Sequence, residues 1–261
     1  MKSTRSRRAA AAINPRDVTA VILARNEAHN LPLAFASLPP DMPVLVIDHQ
    51  STDATAHVAA DAGARVITRP FEGFVNARRF AQSQVRTPWT FMLDADERPD
   101  AQLVQALREA GESVAGYELS RTTFYRGKPI RMWRGERVLR LFKTDRAEVY
   151  AAPAAGGDAQ LHERWRVDGP VGLLAGTLLH ESYPSAHAYD MKYEAYTQTE
   201  AQGVRYSPVS LAVQTMKAPL RFAWYALGRG AALDGADGLR VAWASARYPA
   251  VVQWKAKRNR S

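Results

Sequence analysis

Cysteine is missing from all 261 residues. That excludes a disulfide framework, thiolate metal sites and a cysteine nucleophile, and it leaves the compartment open. Also missing is any apolar run of about 18 residues, so no membrane-spanning helix is expected. The first candidate strand is not followed by Gly-x-Gly-x-x-Gly, and no Gly-Lys-Ser/Thr occurs, which removes support for dinucleotide and P-loop readings. Acidic residues are in short supply: 26 Asp and Glu face 35 Lys and Arg, a formal net charge of +9. Such an excess attracts polyanions, whether nucleic acid, anionic membrane or phosphorylated small molecules.

The apolar fraction, 46%, is ordinary for a chain that buries a core, and the length suits one large domain with an appendage. Positive charge is densest at the two ends. Lys2, Arg5, Arg7 and Arg8 precede an apolar stretch too short to export the chain, so residues 1–17 are expected as a disordered basic arm. Lys255, Lys257, Arg258 and Arg260 follow apolar Tyr248, Val251, Val252 and Trp254. That pairing suits a membrane surface better than a base-reading element, with a solubilising tail as the simpler account.

Between these ends, strands and helices alternate. Val18 to Ala24, Val44 to Ile47, Ala64 to Thr68 and Trp89 to Leu93 read as strands. Helices are predicted over 31–38, 54–62 and 74–84, the first capped by Asn30, the second by Ser51 or Thr52. This order predicts an α/β fold with a parallel sheet covered by helices on both faces. Ligands of such sheets bind beyond the strands' C-terminal ends, where Arg25, Asp48 and Asp94 all sit. Further strands are predicted at 115–121, 137–142 and 171–179. Arg137 and Arg140 are placed on one strand face, and residues 151–160 read as a mobile loop. From Ser185 the pattern turns helical, so 18–184 is read as the main domain and 185–261 as a helical appendage.

The most informative stretch is Trp89-Thr90-Phe91-Met92-Leu93-Asp94-Ala95-Asp96-Glu97, an apolar strand ending in three carboxylates. In an extended chain Asp94 and Asp96 leave the same side. Side by side they repel unless a cation or a shared proton neutralises them, and a hard ion such as Mg²⁺ or Mn²⁺ answers that need. The alternative is an acidic turn capping the next helix, with Glu97 in its first turn.

The ordered motifs resemble family 2 glycosyltransferases of the GT-A fold, and more narrowly the bacterial lipopolysaccharide-core β-glucosyltransferases. They are Val21 to Glu27, Val46 to Asp53, Gly73-Phe74 through Ala81, Leu93 to Glu97, Arg137 to Phe142, His162-Glu163 and His180 to Tyr183. His49-Gln50 stands where the subfamily has Ser-Gly, and Arg78-Arg79 where it has Lys-Asn, departures that bear on the donor sugar more than on the reaction. The resemblance implies a GT-A type Rossmann-like, mostly parallel sheet. It also implies transfer of a hexose, glucose by the subfamily's name, from a nucleotide-sugar donor (UDP-sugar favoured) to a glycolipid or lipopolysaccharide-core acceptor.

The resemblance also implies roles. Ala24, Arg25, Glu27 and Asp48 would hold base and ribose, with Arg78 near the nucleotide. Asp96 would meet the metal–diphosphate, and Asp94 ribose or bound water. Glu163 is the implied general base, with His162 either the base itself or orienting Glu163. Independently of the resemblance, His180 at a segment end would complete the metal shell or touch diphosphate, with a hydrogen-bonded core-edge histidine as the alternative. Arg137 and Arg140 would bind acceptor phosphate or donor diphosphate if their strand face borders the pocket, and are ordinary solvated positions if it does not. The expected setting is the cytoplasmic face of the inner membrane, with peripheral association to anionic lipid and no nucleic-acid partner. Competing readings are a nucleotidyltransferase acting on sugar phosphates and a basic nucleic-acid-binding protein. The first lacks a glycine-rich triphosphate loop, and the second rests on charge alone.

Overall fold

The computed structural model describes residues 12–151 and 163–259. The first half is built as β1 (Val18–Ala24), α1 (Leu31–Ala36), β2 (Val44–Asp48), α2 (Thr55–Asp61), β3 (Arg65–Thr68), α3 (Phe74–Ser83) and β4 (Trp89–Asp94). These strands pair in parallel in the order β3-β2-β1-β4. β1 and β4 read as unbroken apolar runs because both of their faces are covered. Ala20, Ile22, Phe91 and Leu93 pack into one core cluster, while Val21 and Met92 pack into another on the opposite side. Each large side chain so buried contributes about 1.5–3 kcal/mol.

The chain runs from β1 outward to β2 and β3, then returns to the other flank of β1 as β4. A crevice therefore opens beyond the C-terminal ends of β1 and β4, at the point where the strand order reverses. Asp48 and Asp94 stand at this edge, Asp48 in register with Ala24 and Asp94 with Leu23.

The rest of the sheet mixes directions. It comprises β5 (Glu97–Pro99), β6 (Gly116–Tyr125), β7 (Lys128–Pro129), β8 (Glu136–Lys143) and β11 (Val171–Tyr183), with α4 (Ala101–Glu109) between β5 and β6. β8 lies antiparallel between β4 and β6, and β11 runs parallel to β6 and antiparallel to β5. A separate hairpin pairs β9 (Ala147–Ala151) with β10 (Glu163–Val167). The short strands β5, β7, β9 and β10 were not expected from the sequence, because runs of two to five residues carry too little periodicity. Gly176, at φ 88°, brings β11 against α4: a Cβ there would lie 2.2 Å from the Leu103 nitrogen. Only glycine fits that approach.

Three helices follow: α5 (Ala186–Gly203), α6 (Pro208–Ala223) and α7 (Gly235–Arg258). α6 continues past Pro219 and ends in a π turn over 224–228. The helices pack back on the sheet, since Tyr189, Val241, Ala242 and Ala244 share a core cluster with Tyr125, Ile130 and Met132.

Several local expectations need correcting. Of the arm 1–17, residues 1–11 lie outside the described residues. Ile13 is buried and its N–H donates to the Ala110 carbonyl at 2.7 Å, so the stretch from Ala12 is anchored. Asn30 does not cap α1. Its side chain donates to Glu27 Oε2 at 2.7 Å instead. Neither Ser51 nor Thr52 caps α2; Asp53 Oδ1 accepts from the Thr55 N–H at 3.0 Å and also from the Thr55 hydroxyl. Glu97 does not open a helix. It lies in β5, and Asp100 caps α4 by accepting from Leu103 N–H at 2.7 Å. The loop expected at 151–160 lies outside the described residues apart from Ala151, the end of β9.

The C-terminal tail keeps part of the apolar-and-basic surface the sequence suggests, with Trp254, Lys257 and Arg258 exposed and the Arg258 guanidinium over the Trp254 ring, while other residues of it turn inward. Val252 and Ala256 pack with Ala201. Lys255 is buried, its Nζ 2.6 Å from Glu194 Oε1 and donating to Thr197 Oγ1 at 2.7 Å.

Candidate active site

Strand register builds the site's floor. Arg121 on β6 faces Glu136 on β8, Thr123 on β6 faces His180 on β11, and His180 faces Glu97 on β5. Paired residues send side chains to the same face, so these five form one polar layer across four strands. Arg121 binds both oxygens of Glu136 at 2.7 and 3.0 Å, and its third nitrogen donates to Glu97 Oε1 at 3.1 Å.

Glu97 is fully buried and is the hub of this layer. Its Oε1 also accepts from Arg140 Nη2 at 2.7 Å, and its Oε2 accepts from the Asp94 backbone N–H at 3.0 Å. Arg140 reaches it from a bulge. The β6–β8 register passes from Tyr117↔Leu141 to Glu118↔Leu139, leaving Arg140 as the extra residue. Bulges re-aim side chains in this way. Arg140 also donates to Asp94 Oδ2 at 2.8 Å. Arg140 was expected at a phosphate. The structure instead commits it to two carboxylates, while Arg137 on the same strand is exposed.

Arg78 on α3 closes the cluster from the other side. Its Nη2 donates to Asp94 Oδ1 at 2.8 Å and its Nε to Glu163 Oε1 at 2.7 Å, while its buried Nη1 has no partner among the described residues. Burial alone would raise the pKa of Asp94, but the charges of Arg140 and Arg78 outweigh it and hold the carboxyl well below the usual range. The repulsion argued from the sequence is thus answered by arginines. Asp94 and Asp96 do not lie along one extended strand either, because the chain turns after Asp94.

That turn gives Asp96 different neighbours. Its Oδ1 lies 3.4 Å from His180 Nε2, and its Oδ2 lies 3.4 Å from Lys192 Nζ on α5. His180 Nδ1 shares a 3.2 Å hydrogen bond with the Thr123 hydroxyl, and Lys192 also reaches Ser182 Oγ at 3.1 Å. Burial works to raise the pKa of Asp96, but the His180 hydrogen bond and charge, with Lys192 behind them, bring it below its ordinary value. Glu27 is shifted up, chiefly by burial with the charge of Asp96 adding to it, and its own hydrogen-bond partners are Asn30 and Thr55.

The residues expected at the site therefore divide. Arg78, Asp94, Asp96, Arg140, Glu163 and His180 come together, with Glu27 at the margin. Ala24 is buried at the end of β1 and Arg25 is exposed beside it. Asp48 is buried and used by the chain itself, accepting from the Ser51 N–H at 3.3 Å and the Thr68 hydroxyl at 3.2 Å. His162 lies outside the described residues. A cleft of about 910 Å³ between α5 and α7 shares no residue with the cluster, and its lining is dominated by surface charges such as Arg240 and Arg258.

The family described as glycosyl transferase family 2 matches residues 19–162, more than half of the chain. The chain belongs to that family. The match covers β1 through β9, the half of the fold that carries the acidic turn. Among curated relatives, the chain is 31% identical over 189 residues to an uncharacterised glycosyltransferase of Rickettsia typhi, covering 66% of this chain and 63% of that protein. It is 30% identical over 175 residues to a lipopolysaccharide core biosynthesis glycosyltransferase of Rhizobium meliloti, covering 62% of each. The chain thus spans less than two thirds of the length of these relatives. Among solved structures it superposes on a mannosyltransferase from Pyrobaculum calidifontis, solved with GDP-Man and Mn²⁺. The identity is 14% and the TM-score 0.51, with 98% of this chain and 92% of that one covered. That likeness bears on the fold alone, and the fold is of the GT-A type expected.

The fit of a divalent cation can be judged from the chain's own donors. Among the described residues no group of three or more His, Asp and Glu side chains is gathered as a metal site. Asp96 and His180 do stand side by side, and the second ring nitrogen of His180 shares a hydrogen bond with the Thr123 hydroxyl, which orients the ring. A carboxylate such as Asp96 suits Mg²⁺ or Mn²⁺, which take most of their oxygens from phosphate and water, while the softer imidazole of His180 is the weaker match for Mg²⁺. The residues fit.

Several residues of the site lie outside the sequence reading: Arg121, Thr123, Glu136 and Ser182, and above all Glu97 and Lys192. Asp100 would have been the signal for Glu97, as a better helix cap three residues further on. Nothing in the sequence points to Lys192, which reaches Asp96 from a helix 96 positions away.

Asp94 makes a prediction about acid stability. Its folded pKa lies well below its ordinary value of 3.8, so the unfolded chain takes up the proton first as the pH falls. The stabilisation is complete above about pH 5 and is lost progressively below about pH 4. Urea unfolding of the wild type should weaken over that lower range. The stability difference between it and Asp94→Asn should shrink in parallel. A difference constant down to about pH 2 would count against the pairing.

Proposed function

We propose that this transferase moves a hexose, most simply glucose, from a nucleoside diphosphate donor, UDP favoured, to a glycolipid acceptor such as the lipopolysaccharide core. The transfer inverts the anomeric carbon and depends on Mg²⁺ or Mn²⁺. The observation that carries the reading is Arg78, whose single guanidinium binds Asp94 at the end of β4 and Glu163 at the start of β10. It sets a carboxylate fit to accept a proton beside the turn fit to hold a diphosphate.

In this reading Glu163 accepts the proton of the acceptor hydroxyl as that oxygen attacks the anomeric carbon from the face opposite the leaving group. Arg78 and Arg140 keep Asp94 ionised for the donor's ribose or a bound water. Asp96 and His180 would hold the cation, which when bound stabilises charge on the departing diphosphate. Lys192, 3.4 Å from Asp96, adds a positive charge at the same place. Ala24, Arg25, Glu27 and Asp48 line the end where base and ribose would lie. The relative named for lipopolysaccharide core biosynthesis supports a glycolipid acceptor. In this reading the protein acts on such an acceptor as a peripheral protein at an anionic membrane, on its cytoplasmic face.

The test is a calorimetric screen of common nucleotide sugars with Mn²⁺, Mg²⁺ or chelator. At least one donor should bind more tightly with metal. Asp96→Asn should weaken that metal-dependent binding by about 10–100-fold while melting near the wild-type temperature. Donor binding equal with and without metal, in both proteins, would remove the cation from the reading.

A further inference from the structure

α6 is built inside out. A helix at a protein surface normally turns its large apolar side chains inward and its polar ones to water. Here Val209, Met216, Leu220, Trp224 and Leu227 are 72, 77, 73, 61 and 78% exposed. With Val213 they recur at steps of three or four residues, one stripe along the helix that continues into the π turn. The helix meets the protein through smaller or half-buried groups instead, with Ala218 and Ala226 buried and Phe222 packed into the core cluster. Scattered exposed apolar residues need no explanation, but a continuous stripe marks a contact surface.

Charge selects the occupant. Between Glu200 and Asp234 there is no acidic residue; Arg205 and Lys217 are exposed cations, while Arg221 and Arg229 donate to carbonyls of the protein itself. Lys217 is exposed beside Met216 and Leu220. A second copy of the chain would bring an identical face, cation against cation, with no carboxylate to meet Lys217. A bilayer asks for what is present: apolar side chains for the acyl region, cations for lipid phosphates, and no demand for hydrogen bonds along the stripe. Trp224 sits on the stripe, and Trp243 of α7 packs its ring edge on Phe222 at 5.7 Å and is 44% exposed. Tryptophan favours the membrane–water boundary. No described helix is long and apolar enough to cross a membrane, so the contact lies along the surface.

We infer that the outer face of α6 and its π turn is a bilayer-contact surface that lies in the interfacial layer of a membrane carrying anionic phospholipid. The inference rests on the membrane part of the reading above and uses nothing of its chemistry. It moves the contact from the C-terminal tail, where Lys255 is turned inward, to a helix with no sequence hallmark of a tail.

The test is flotation of the full chain with vesicles of phosphatidylcholine, with and without phosphatidylglycerol. The wild type should float with the anionic vesicles and bind neutral ones at least about tenfold more weakly. Met216→Glu combined with Leu220→Glu should lose about tenfold or more of the anionic binding, because each puts a carboxylate into the stripe. Trp254→Glu, on the tail, should leave binding within about twofold. Thermal melts of each variant confirm folding, and Lys217→Glu, which leaves the apolar stripe intact, should weaken binding through charge alone. Absence of wild-type binding, or equal binding by the double variant, overturns the inference. So does loss of a dimer in ultracentrifugation with vesicle binding unchanged, which would assign the face to a second copy. Nucleotide-sugar binding in lipid-free solution is measured separately, so failure of the transferase chemistry and failure of this surface give different results.

Discussion

Glu97→Gln should lower the free energy of unfolding by about 3 kcal/mol, because it removes the charge from a fully buried group on which two arginines and a backbone N–H converge. Arg121 would keep Glu136, and Arg140 would keep Asp94, but the shared centre of negative charge would be gone. In a domain of this size that corresponds to a fall in melting temperature of about 6–12 °C. Glu136→Gln offers the contrast. Its side chain is 40% exposed at the rim of the same network, so its loss should cost less than about 1 kcal/mol. Melting both variants beside the wild type decides the matter. Equal, small shifts would mean that Glu97 is not the hub. Donor affinity should fall with Glu97→Gln as well, since the Asp94 N–H loses its charged acceptor.

Glu163→Gln should reduce the rate of sugar transfer by about 10²–10⁴-fold while changing donor affinity only a few-fold. Glutamine is the right replacement because its amide oxygen still accepts from Arg78 Nε, so the Arg78–Asp94 pair keeps its geometry. Alanine would leave the buried guanidinium short of a partner and confuse catalysis with site collapse. The readouts are turnover with an acceptor and calorimetric donor binding. Normal turnover would place the base elsewhere and make His162 the next residue to replace.

The first half of the fold was readable because parallel strands buried on both faces are unbroken apolar runs and their connecting helices are separate and short. Val18–Ala24 is such a run, and its limits in the structure are those the sequence suggests. The same residues made the acidic turn stand out. What could not be read was which cation answers which carboxylate. Arg140 was visible as a strand residue, but its direction depends on a bulge that no period-two pattern reveals. Glu97 looked like a helix start because acidic residues suit both a first turn and a buried ion pair. Lys192 illustrates the larger limit. A helix set apart as an appendage contributes a charge at the site, and contacts so distant in sequence leave no local trace.

The bulge at Arg140 also governs how this strand tolerates change. Val138 and Leu141 serve one core cluster and Leu139 and Phe142 the other, a spacing of three that a regular strand cannot give. The extra residue inverts the phase of β8 midway along its length. Deleting it would restore regular pairing with β6 and leave Val138, Leu139, Leu141 and Phe142 on their present faces, but it would remove the guanidinium that joins Asp94 to Glu97. Gaps in this strand are therefore not equivalent to gaps in a loop, and a more regular ladder would make a worse protein.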